Sequence, residues 1–134
     1  MVQNLKQNGT LNVLLATKDS TIEERIKKIL RANQYSLFVV GSCKEALENI
    51  LDYNYDAVIF DPELNELHSS DAVQLIKKIR PKLNLIVFSD DSSYETGVKI
   101  AETGVYFRLL KPIDDDITTQ LLSSLEKKAN SPLE

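Results

Sequence analysis

The chain is poor in groups that cross-link or hold metals. It has one cysteine, Cys43, so no internal disulfide can form. Cys43 falls on the apolar face of an expected helix and reads as a buried structural thiol. It has one histidine, His68, and one histidine does not make a dedicated zinc site. No apolar run approaches the roughly 20 residues that a bilayer demands. Residues 1–6 lack the apolar centre of a signal peptide, which makes the cytoplasm the default compartment. Basic charge is not in excess either: 16 Lys and Arg face 20 Asp and Glu, for a net charge of −4. That balance argues against direct nucleic-acid binding. The pairs Lys27-Lys28, Lys77-Lys78 and Lys127-Lys128 sit beside apolar helix stripes and read as solvated faces. There is no glycine-rich phosphate loop and no Gly-x-Ser-x-Gly elbow.

What is present is patterning. The 134 residues, 43% apolar and 27% charged, suit one globular domain. Residues 1–10 are polar, contain Gly9 and read as a disordered tail; the domain spans 11–129, and 130–134 form a second tail. Apolar runs expected as strands lie at 11–16, 35–40, 56–60, 85–88 and 105–110. Between them lie amphipathic helices. The first opens on a Ser20/Glu23 capping box and carries Ile22, Ile26, Ile29 and Leu30. The second opens on Ser42/Glu45 and carries Cys43, Ala46, Leu47, Ile50 and Leu51. The third, from Ser69 or Ser70, carries Ala72, Val73, Ile76 and Ile79 and stops before Pro81. The fourth, Ser93 to Thr103, contains Gly97 and ends at Gly104. The last, 114–129, points Ile117, Leu121, Leu122 and Leu125 inward behind the run Asp114-Asp115-Asp116. Alternating strands and helices, with little polar alternation in the strands, imply a parallel sheet covered on both faces.

In such a sheet, chemistry belongs at the carboxyl ends of the strands. Asp61 ends the run Asp56-Ala57-Val58-Ile59-Phe60-Asp61; Thr17, Lys18 and Asp19 follow the first strand, Ser89 the fourth and Lys111 the fifth. With Gly104 eight residues before Pro112, this set resembles the receiver domain of two-component response regulators from about Leu11 to Lys128. The resemblance implies a flavodoxin-like (βα)5 fold with strand order 2-1-3-4-5. It implies Asp61 at the phosphoacceptor position, Ser89 and Lys111 contacting the phosphoryl group, a cis Lys111–Pro112 bond, and Mg2+ as cofactor. It also implies a histidine kinase or output domain as partner, and contact or homodimerisation through the face of helix 4, strand 5 and helix 5. A receiver of this kind is a signalling module without catalytic residues of its own.

The chain departs from the pattern in three places. The acidic pair that holds Mg2+ in receivers is replaced by Thr17-Lys18, which makes Mg2+ a weak expectation, with Asp19 and Asp61 as the remaining candidate ligands. Arg108 stands where receivers usually place an aromatic switch residue; Tyr106 shares its face. The loop after Asp61 is longer than usual and reads Asn65-Glu66-Leu67-His68-Ser69-Ser70. The expectation is therefore an atypical receiver, in which Lys18 and Lys111 hold Asp61 in a salt-bridged arrangement and signalling is independent of phosphorylation or only weakly coupled to it. A conventional phosphoacceptor with altered metal ligation is the alternative. A small aspartyl phosphohydrolase is the remote one, because Asp61-Pro62-Glu63 is similar to the nucleophile motif of haloacid-dehalogenase-type phosphatases. The last helix is followed by almost nothing, which fits a stand-alone domain or one excised from a longer chain, with an output domain beyond residue 134 left open.

Overall fold

A computed structural model describes residues 3–4, 11–61, 64, 69–89, 107–110 and 113–129. The expected fourth helix, the Lys111–Pro112 bond, His68 and Tyr106 lie outside these residues. The strands are β1 (Gln3–Asn4), β2 (Asn12–Ala16), β3 (Ser36–Val40), β4 (Tyr53–Asn54), β5 (Ala57–Phe60), β6 (Asn84–Ser89) and β7 (Phe107–Leu110). The helices are α1 (Ser20–Ala32), α2 (Cys43–Asp52), α3 (Ser69–Ile79) and α4 (Asp115–Ala129).

Five strands form one parallel sheet in the order β3-β2-β5-β6-β7. Leaving out the two-residue β1 and β4, this is the expected 2-1-3-4-5. β1 and β4 pair with each other, so Gln3–Asn4 are strand where the sequence suggested only a loose tail. β2 and β5 are buried at every residue. Successive side chains on a strand point to opposite faces, and two cores result. Val13, Leu15, Ile59, Ile86 and Phe88 pack under α1 and α4. Leu14, Ala16, Val58, Phe60 and Val87 pack under α2 and α3, with Cys43 buried among them. Each large aliphatic side chain taken out of water contributes about 1.5–3 kcal/mol before chain entropy is counted.

The helix starts hold two corrections. α1 is capped by Asp19, not Ser20: the Asp19 carboxylate accepts from the N–H groups of Thr21 and Ile22. A carboxylate caps as well as a hydroxyl and also faces the positive helix end. Asp114 does the same for α4, accepting from Ile117 N–H. The Ser42/Glu45 capping box forms as expected. The inward stripes are narrower than the apolar residues suggested. Ile117 is 48% exposed and Leu51 50% exposed, while Thr118, on the inward side of α4, is buried. Thr118 tolerates burial because its hydroxyl donates to the Asp114 carbonyl.

α1 ends in a Schellman arrangement: Gln34 N–H donates to the Arg31 carbonyl and Tyr35 N–H to the Leu30 carbonyl. Gln34 sits at φ 61°, where glycine is usual. α1 is also tied to the start of α4. Arg25 donates to the Ile113 carbonyl at 2.8 Å and to Asp115 at 3.0 Å.

Candidate functional site

β2 and β5 are neighbours, with Ala16 in register with Phe60. The next residue on each strand is Thr17 and Asp61, so the sheet itself brings them together at its carboxyl edge. Asp61 N–H donates to the Ala16 carbonyl at 2.9 Å, and Thr17 N–H to the Val40 carbonyl at 3.0 Å. Both residues are enclosed, Thr17 at 3% and Asp61 at 2% exposure.

Their side chains meet. Thr17 Oγ1 lies 2.7 Å from Asp61 Oδ2. Asp19 N–H donates to the same Thr17 oxygen at 3.0 Å. A hydroxyl has one proton to give. Because Thr17 Oγ1 accepts from Asp19, its own proton is directed at Asp61. The result is a short, charge-assisted bond, the stronger class of hydrogen bond. Asp61 has further interactions beyond these.

The expected Lys18–Asp61 ion pair is not formed. Lys18 is exposed, and the ion pairs among the described residues are Arg25–Asp115 and Lys27–Glu23. Strand alternation explains this: Thr17 turns inward, so Lys18 turns out. Asp19 is exposed and spends one carboxylate oxygen on the α1 cap. Of the candidate ligands, only Asp61 faces the pocket. Among the described residues no group of three or more His, Cys, Asp or Glu could hold a metal ion.

Ser89 closes β6, beside Leu110 of β7. Lys111 lies outside the described residues. Arg108 is half-buried on β7, in register with Val87, and its Nη1 is enclosed without a hydrogen-bond partner. On the other face of β7 an open groove of about 470 Å³ runs along α4, lined by Phe107, Ile117, Gln120, Leu121 and Ser124. Reasoning from sequence treated Thr17 only as a weak metal ligand and so missed its bond to Asp61. Strand alternation, applied at Thr17, was the signal that could have found it.

A parallel α/β sheet in this order, with a carboxylate at the end of its central strand, defines the flavodoxin-like class of receiver folds. The response regulator receiver domain model matches residues 13–123, and the chain belongs to that family. It is 27% identical over 120 residues to the transcriptional regulatory protein ZraR of Escherichia coli K12, covering 90% of this chain and 26% of ZraR. It is 30% identical over 119 residues to the DNA-binding transcriptional regulator NtrC of Azospirillum brasilense, covering 89% of this chain and 24% of NtrC. The chain thus spans about a quarter of the length of these relatives. Among solved structures, the receiver domain of the Francisella response regulator 1452 superposes with a TM-score of 0.82 at 26% identity, over 90% of this chain and all of that one (100%). The chain is a response-regulator receiver module of two-component signalling. No helix among the described residues is long and apolar enough to cross a membrane.

Proposed function

We propose that this receiver works as a protein-interaction module whose state is independent of Mg2+-assisted phosphorylation, or only weakly coupled to it. The observation that carries this is the disposition of Thr17, Lys18 and Asp19. Mg2+ requires about six hard oxygen ligands at about 2.0–2.1 Å. Here one strand-end position offers a neutral hydroxyl already committed to Asp61. The next is a cation that points outward, and the third is a helix cap. These residues do not fit the metal. Asp61 stands at the phosphoacceptor position held by a hydroxyl, with Ser89 and Lys111 at the phosphoryl-contact positions of the family.

The partner is a protein: a histidine kinase, an output domain, or a second copy of the chain. The face around Arg108 and α4 is the contact surface, since Phe107 and Ile117 are exposed there at 40% and 48%. Intact-mass measurement after incubation with a small phosphodonor, with and without Mg2+ and alongside Asp61→Asn, tests the reading. Little or no adduct at any Mg2+ concentration is expected. A Mg2+-dependent adduct that disappears in Asp61→Asn would sink it and establish a conventional phosphoacceptor with altered metal ligation.

A further inference from the structure

We propose that Arg108 is the receptor for a carboxylate carried by a protein partner. The inference rests on the interaction-module reading above and names the chemistry of the partner. Leu109 is buried in the core under α1 and α4. Alternation along β7 therefore sends Arg108 to the opposite face of the sheet. There it continues the register row Phe60–Val87–Arg108, whose other two members belong to the core under α2 and α3. A guanidinium carries five donors and cannot shed its charge. Its Nη1 is enclosed with no acceptor, and Arg108 forms no ion pair among the described residues. An enclosed cationic nitrogen left unpaired opposes folding. An acceptor that arrives from outside recovers that cost, which is the condition for a binding group.

The described acidic residues nearest in sequence are otherwise engaged or exposed. Asp114 caps α4, Asp115 pairs with Arg25, and Asp116 is exposed. Asp61 is held by Thr17. The planar fork of arginine matches a carboxylate through two parallel bonds. β7 is an edge strand with one neighbour, β6, so a partner can approach it from the side. On the same strand Phe107 opens onto the α4 groove. The surface thus pairs an apolar anchor point with a waiting cation, and it fits a segment that carries an acidic residue beside an apolar one.

The test uses the full chain, with acetate as the carboxylate probe. Thermal unfolding is followed for wild type and Arg108→Met in chloride and in acetate at equal ionic strength and pH. In chloride, Arg108→Met is expected to melt higher by roughly 3–6 °C, since it removes an unpaired buried cation. Acetate should raise the midpoint of wild type and leave Arg108→Met unmoved, and should shift the Arg108 Nε–Hε resonance saturably. A lower midpoint for Arg108→Met in chloride would show that Arg108 is already paired within the chain and overturn the proposal. An equal acetate effect on both proteins would overturn it too. A resonance that responds to inorganic phosphate but not to acetate would reassign the site to phosphoryl groups. None of these readings depends on phosphorylation, so a phosphoryl adduct on Asp61 would remove the interaction-module reading without altering them.

Discussion

Asp61 and Arg108 are both ionic side chains set among apolar neighbours in one sheet, yet their surroundings treat them differently. Asp61 receives a hydroxyl proton at 2.7 Å from a residue that is itself oriented by a backbone N–H. Arg108 has an enclosed nitrogen with no acceptor. The contrast teaches that one position is internally settled while the other awaits something outside the chain. A receiver that signals by modifying its aspartate would be expected to leave that aspartate approachable. Here the hydroxyl of Thr17 fixes one of its two oxygens.

The largest effect expected from breaking the comparison is at Thr17. Thr17→Val keeps the shape and leaves Asp61 Oδ2 without its donor in an enclosed site, which should cost about 2 kcal/mol in urea unfolding. Thr17→Ser should retain most of that stability. If valine is neutral, the bond contributes nothing and Asp61 is held from elsewhere. The opposite sign is expected at Arg108, where Arg108→Met should stabilise by about 1–2 kcal/mol. Arg108→Ala should weaken association with a cognate partner in sedimentation, and unchanged association would count against the contact face.

A smaller loss, about 1 kcal/mol, is expected for Asp19→Ala as a missing helix cap, with no change in the response to Mg2+. A Mg2+ effect lost with Asp19 would instead make it a ligand. Restoring the acidic pair with Thr17→Asp and Lys18→Asp together should create divalent-ion binding that wild type lacks, read by Mg2+-induced amide shifts around Asp61.

The smallest effect lies at high pH. Burial and the bond to Glu126 push Tyr35 up to about 12, and burial with Tyr53 nearby pushes Tyr55 up to about 12. In the unfolded chain both titrate near 10. Their contribution is complete below about pH 10 and is lost as pH rises toward 12, because the unfolded state gives up its protons first. Tyr35→Phe should flatten part of that alkaline decline, measured by denaturant midpoints across the window.

The fold was legible because strand and helix periodicities are local. Val58-Ile59-Phe60 reads as a doubly buried strand, and Ile22, Ile26 and Ile29 as one helix face, whatever surrounds them. Ile117 and Leu51 were misjudged because periodicity names a stripe, not its width; that is set by how far the neighbouring helix reaches. The positions of Asp61, Thr17, Lys18 and Arg108 were also legible, since each follows from counting along its strand. The sequence by itself determined the order of elements, the two-sided core and which residues stand at the carboxyl edge, all of which follow from short-range chemistry. Only the tertiary structure decided that Thr17 rather than Lys18 meets Asp61, that Asp19 caps α1, and that an Arg108 nitrogen is left without an acceptor. Those are outcomes of packing between residues as far apart as Thr17 and Asp61, and hydrogen bonds are made or missed by distances that no local pattern records.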